Sequence, residues 1–488
     1  MAKHVTLLKN FLRVLLPSFI ADLFFPDHKP NWRLHPTSYL DGLRGIASII
    51  VFICHYTEEN YSRLIPTYGL SKERPSGWIQ LPYLRLIFSG RPMVHIFFII
   101  SGFVLSYKPV KAIHVRDFPK SYAALSSSTF RRAFRLYGPC IVSTFFAALL
   151  AQRGYRFHDK YDTLSEQLWA WKDAVFHQIT WAWGWEHDLR PAYDIHLWTI
   201  PIEFAHSMLL FLVIIGTSRV RLRIRQALLV SIMFYCSACG KWAAFEFLAG
   251  MFLAELHILQ NAHQQNSESC DEIFDLPKKT LRTLKSLKTA IYIIVLAVGL
   301  YVAGWPNHDA DKTPVISSFL AHTPDPYATS DDSLAAQKFW FGLVAVVVVW
   351  IVGDMPFLKR LFETPVAQYS GRVSYAVYIM HGPVMGIYSS RVLGFPGSAA
   401  VGEAGTEGFK EAIMGKGVKG YFGVSTPTQL TMGWFVGLCM MGIIVIWAAD
   451  IFWRAVDEPI VKLARRIEMC CLDDTEEKPR SPGYSAAA

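Results

Sequence analysis

Apolar runs close to the length of a bilayer crossing recur along the chain, each closed by a polar break. A helix needs ~20 such residues to span the hydrocarbon core. Lipid offers no partner for a free backbone amide, so a run at that depth must satisfy its own hydrogen bonds as a helix. Segments near 41–57, 92–108, 134–151, 196–216, 226–239, 242–258, 289–305, 339–355, 373–390 and 432–453 fit this requirement. The expected fold class is all-α: a polytopic membrane helical bundle of about ten transmembrane helices. Composition agrees, with 52% hydrophobic and only 18% charged residues, against ~25% charged in soluble domains.

Lysine and arginine set the orientation. They concentrate at 108–135, 219–225 and 278–288, which fall on one side of a ten-span path. That side reads as cytosolic, with both termini on it. The net charge of +9 is thereby explained without nucleic acid. Residues 1–37 form an N-terminal segment whose stretch 6–25, interrupted by Lys9, Arg13 and Pro17, suits an interfacial helix. The transmembrane domain is expected over 38–460, and 461–488 as a cytosolic tail, disordered from Asp473. The pair Cys236-x-x-Cys239 has no second pair nearby, so no metal site is expected.

Ionisable groups at membrane depth cost at least ~2.5 kcal/mol on insertion scales and need a reason. The candidates are Arg44, His55, His95, Glu203, His206, Glu246, His381 and Asp450. Arg44 and His55 are eleven positions apart on the first span. At ~100° and ~1.5 Å per residue they share a face to within roughly 20° and stand about 16 Å apart along it. That spacing suits a ligand lying along the helix, its anionic end at the guanidinium and its reactive end at the imidazole. It equally suits an arginine snorkelling to the headgroups and a histidine at the far interface. Glu58 and Glu59 could orient the imidazole or be solvated at the helix exit. Glu203 and His206, one turn apart, read either as an acceptor-orienting relay or as a buried structural pair. Ser101 has no base beside it in sequence and reads as packing next to Gly102. The tryptophan-rich stretch 169–185 reads as an interfacial belt or an aromatic platform for an acceptor.

The phrase Tyr39-Leu40-Asp41-Gly42-Leu43-Arg44-Gly45-Ile46-Ala47, followed by His55, resembles the R-x10-H opening of the acyltransferase-3 family of integral membrane acyltransferases. Further matches follow in that family's order: Phe97-Phe98-Ile99-Ile100-Ser101-Gly102, Phe130-Arg131-Arg132-Ala133-Phe134-Arg135, Leu197-Trp198-Thr199-Ile200-Pro201-Ile202-Glu203, and Ser374-Tyr375-Ala376-Val377-Tyr378-Ile379-Met380-His381. The resemblance runs from about residue 38 to 460. One departure is His95, where family members often carry an acid.

The resemblance implies an O-acyltransferase that takes an acyl group, expected to be acetyl, from acyl-CoA as donor substrate, with no permanently bound cofactor. The acceptor would be a hydroxyl on a small or lipophilic metabolite, or alternatively on a cell-surface glycan. His55, Arg44 and Glu203 are then the expected catalytic residues, with His55 as general base or as an acyl-carrying nucleophile. Arg131, Arg132 and Arg135 are expected to bind the CoA phosphates, for which guanidinium forks are suited, though anchoring by positive charge explains them equally. His381 stands before Gly382-Pro383, which reads first as a kink. A secondary transporter of small organic anions is the rival class, disfavoured by the lack of an inverted repeat.

Overall fold

A computed structural model describes residues 16–18, 20, 34–70, 75–155, 158–268, 278–394 and 417–472. Most of the expected interfacial helix and the tail from Asp473 lie outside them. Among the described residues the chain is helical throughout, with no strand. The principal helices are α1 Ser38–Asn60, α2 Arg91–His114, α3 Phe118–Gln152, α4 Leu164–Ala174, α5 Thr199–Thr217, α6 Leu222–Ala238, α7 Trp242–Glu268 and α8 Lys278–Ala303. There follow α9 Ile316–Ala321, α10 Ala335–Asp354, α11 Pro356–Phe362, α12 Pro365–Leu393, α13 Val418–Phe422, α14 Pro427–Phe452 and α15 Glu458–Cys471.

Each of the ten expected segments falls largely within a helix, and among the described residues eight helices are long and apolar enough to cross a bilayer. The two outside that set are α6, with 17 residues, and α12, with 29. Helix α12 has the length but carries Gln368, Arg372, Ser374 and His381, which it turns toward other helices. The break between α6 and α7 is made by Gly240 at φ +71°, a conformation glycine enters without a Cβ clash.

Helices α1 and α2 stand at the centre. Without a hydrophobic drive between helices in lipid, small residues that let backbones meet set the packing. A methyl added at Gly45 of α1 would lie 2.2 Å from the Gly371 amide nitrogen of α12. One added at Gly102 of α2 would lie 2.2 Å from the Phe247 carbonyl of α7. These two pairs bring α12 and α7 against the central helices. The far end of α1 is tied to α14: Trp434 Nε1 donates to Thr57 Oγ1 at 2.9 Å, and Tyr61 donates to the Gly433 carbonyl at 2.9 Å.

Some buried charges are structural. Asp450 of α14 accepts from Ser18 Oγ at 2.6 Å, Tyr369 at 2.8 Å and Arg454 at 2.7 Å, joining the N-terminal segment to the bundle. Arg225 of α6 forks onto Glu255 of α7, which also meets His114 Nε2 at 3.2 Å.

Candidate active site

Among the described residues, two cavities of about 300 Å³ flank α1. The first, about 310 Å³, is lined by Arg44, Ser101, Arg132, Arg135, Glu203, Arg372 and Trp453, among others. The second, about 300 Å³, is lined by His55, Glu58, Glu59, His95, His196, Trp198, Trp242 and Phe341, among others. Val51 and Val94 belong to both walls and form the partition. Arg44, Val51 and His55 follow at intervals of seven and four on one helical face, so one stripe of α1 passes from the basic cavity to the imidazole cavity.

In the basic cavity, Arg44 donates from Nε to Ser374 Oγ at 3.1 Å, and from its terminal nitrogen to the Gly371 carbonyl at 3.2 Å and to Asp41 at 3.1 Å. Helix α12 thus aims the guanidinium. Arg132 is buried and bonds Glu203 at 2.6 Å and Ser207 at 3.0 Å. Glu203 also accepts from Ser101 Oγ at 3.0 Å. The carboxylate that Ser101 lacks in sequence therefore arrives from α5. Arg131 lies outside the cavity lining and pairs with Glu468 of α15 at 3.0 Å. Arg135 lines the cavity, is solvent-exposed and makes no ion pair among the described residues. Of the three arginines expected to meet CoA phosphates, Arg132 and Arg135 line the cavity, Arg132 paired with Glu203 and Arg135 exposed.

Glu203 and His206 diverge, although they are one turn apart. His206 donates from Nδ1 to the Ile202 carbonyl at 2.8 Å, and its Nε2 lies 3.5 Å from Glu186, away from the Arg132–Glu203 pair.

At the other end of the stripe three imidazoles gather. His55 and His196 have ring centroids 4.3 Å apart, His196 and His381 4.5 Å, and His55 and His381 5.3 Å. His196 sits at the entry to α5, where Asp194 accepts both its backbone amide at 3.0 Å and its Nδ1–H at 2.8 Å. His381 lies fully buried in α12 and donates from Nδ1 to the Val377 carbonyl at 3.2 Å. Tyr378, one turn before it, meets Thr199 Oγ1 at 2.7 Å and donates to the His196 carbonyl, locking α12 to α5. Carboxylates rim the group: Glu58 lies 3.7 Å from His55 Nδ1, and Glu59 lies 3.7 Å from His196 Nε2. Arg91 and Asn307 hold Glu58 from the opposite side at 3.7 and 2.7 Å.

Sequence reasoning left out His196 and Asp194 and read His381 first as a kink. Helix α12 continues through Pro383 to Leu393. The stretch 169–185 does not line either cavity: Trp169 and Trp183 point outward, 63% and 74% exposed, while Trp198 and Trp242 supply the aromatic wall. The acid absent at position 95 is restored in space, since His95 meets the buried Glu246 of α7 at 2.5 Å.

A helical bundle with eight helices long and apolar enough to cross a bilayer among the described residues, and with a basic and an imidazole chamber along one central helix, is the layout of a multi-pass membrane protein with an internal site. The profile of the acyltransferase domain matches residues 37–453, and the chain belongs to the acyltransferase-3 family. It is similar to the O-acetyltransferase PaAT-1 of Phomopsis amygdali, at 30% identity over 77% of each chain. It is also similar to the acyltransferase clz18 of Cochliobolus lunatus, at 28% identity over 72% of this chain and 84% of that protein. The acyltransferase R4 of a Phoma species is 27% identical over 90% of this chain and 97% of its own length. No solved structure matches the chain.

Proposed function

We propose that the protein transfers an acyl group, acetyl in the simplest case, from a CoA thioester to a hydroxyl of a small or lipophilic acceptor. The observation that carries this reading is the pair of chambers sharing Val51 and Val94 as their partition. CoA carries several phosphate charges and cannot enter hydrocarbon, so it docks at the basic chamber with Arg135 at its mouth. Its pantetheine arm runs along α1 past Arg44 and delivers the thioester to the partition. The acceptor enters the other chamber, between Trp198, Trp242 and Phe341. Its hydroxyl is activated at the junction of His55, His196 and His381, with Glu58 and Glu59 adjacent. The hydroxyl proton passes to a base of the junction as the oxygen bonds to the thioester carbon. The C–S bond then breaks, and the thiolate leaves through the basic chamber and is reprotonated.

The basic mouth faces the cytosol, the N-terminus enters from that side, and ten helices cross. The names of the relatives, an O-acetyltransferase and two acyltransferases, support acyl chemistry; the acetyl donor rests on the first of them. Release of free CoA by detergent-purified protein tests the reading. Thiol should appear only when acetyl-CoA and a hydroxyl-bearing acceptor are both supplied, in step with ester formation. Thiol release without ester, or transport of an organic anion without either, would overturn it.

A further inference from the structure

We infer that His55, His196 and His381 form a divalent-metal site of the zinc class, its open position facing the second chamber. This deepens the preceding reading, since it takes the same junction to be the reaction centre.

The argument begins with hydrogen positions. A backbone carbonyl and a carboxylate can only accept, so Nδ1 carries the proton where it meets one of them. His381 Nδ1 meets the Val377 carbonyl and His196 Nδ1 meets Asp194. In the neutral rings, each Nε2 is then left with a lone pair. His381 Nε2 is fully buried and has no hydrogen-bond partner among the described residues. One ring nitrogen from each of the three histidines lies within 4.8 Å of the others. Ring nitrogens brought this close, one of them sealed from solvent with a free lone pair, suit an electron-poor partner set between them.

Ring spacing indicates what fits. An imidazole ligand bonds zinc at ~2.0–2.1 Å, which puts its centroid about 3.2 Å from the ion, so ligands at right to tetrahedral angles have centroids roughly 4.5–5.2 Å apart. The observed 4.3, 4.5 and 5.3 Å bracket that range. The surroundings have the outer shell such a site requires. Metal-bound histidines typically donate their second N–H to a carboxylate or a carbonyl, as His196 and His381 do, and Glu58 lies on the Nδ1 side of His55. Three protein ligands and a fourth position open to a cavity is the arrangement of a catalytic rather than a structural zinc. An ion there supplies Lewis acidity to an acceptor oxygen, and Glu58 and Glu59 are the neighbouring bases for its proton.

The test uses the full chain in detergent, stripped with a chelator and titrated with Co(II) and Zn(II). Wild type should bind one ion per chain, show the visible absorption of low-coordinate Co(II), and gain thermal stability with Zn(II), as a ligand of the native state must. His381→Ala and His196→Ala should each weaken binding by at least ~100-fold. Asp194→Asn, which keeps all three ligands, should weaken it by about 10–100-fold, the usual cost of an outer-shell partner. It keeps the test open if an alanine variant does not fold. Wild type binding no more tightly than His381→Ala would overturn the inference. Stripped protein that transfers acyl groups at the full rate would sink the metal and keep the acyltransferase. A bound ion without ester formation from any hydroxyl would do the reverse.

Discussion

Deleting the His55 imidazole removes the member of the junction that α1 itself carries. His55→Ala should lower kcat for acyl transfer by at least about 10²-fold, as loss of an acid–base group does and as loss of a ligand to an ion at the same junction would, with little change in thermal unfolding because the ring is only half-buried. CoA release followed by thiol titration reads the effect, and near-normal turnover would remove His55 from the chemistry. On the donor side Arg135 and Arg131 separate. Arg135→Ala should raise the KM for acetyl-CoA several-fold and weaken its salt dependence, since an exposed charge at a cavity mouth acts through a screened field. Arg131→Ala should change little beyond the pairing with Glu468, worth up to about 1 kcal/mol at a partly exposed site. Equal effects on donor KM would refute the assignment. Arg44 and His55 were legible in sequence because an ionisable group on an apolar run stands out and helical spacing puts both on one face. His196 was not, because it sits at the edge of its run beside Asp194, where a polar residue needs no explanation. Its importance comes from α12, which brings His381 from nearly two hundred positions away.

Between α1 and α12 the backbones meet at Gly45 and Gly371, and between α2 and α7 at Gly102 and Phe247. A side chain in either contact would meet rigid backbone, which cannot rotate aside. Gly45→Ala and Gly102→Ala should each destabilise the bundle by about 1–3 kcal/mol, as overpacking does, while Gly216→Ala, with open space around it, should not. Thermal unfolding in detergent measures this, and a Gly45→Ala protein as stable as Gly216→Ala would contradict the close approach. Gly45→Ala should also impair transfer, because α12 aims Arg44 through Ser374 and Gly371. The helices themselves were legible from apolar length. Their pairing was not, since a lone Gly102 or Gly45 does not say which helix it admits. Helix α12 shows the limit most clearly: its polar residues weaken the apolar signal because they serve contacts with α1, α3, α5 and α14 that only the fold reveals.

At the scale of the molecule, the proposed function makes access directional. On that proposal a polar donor in the basic chamber and an acceptor in the imidazole chamber approach from opposite ends of α1, so acyl groups would cross at Val51 and Val94, which line both cavities, while CoA stays on its own side. In sealed proteoliposomes with acetyl-CoA on one face only, turnover should come from molecules whose Arg135 mouth, and whose C-terminal tail by protease access, faces the donor. Equal turnover from both orientations would refute the directional path. Blocking the partition gives an independent check. Val94 is only half-buried, so a larger side chain there intrudes on the cavities more than on the core, unlike Val51, which is 4% exposed. Val94→Trp should therefore leave acetyl-CoA binding nearly intact while lowering kcat by at least tenfold. Binding and turnover falling together would mean that the substitution disturbs the donor chamber, and unchanged turnover would mean that acyl groups reach the imidazoles by another route.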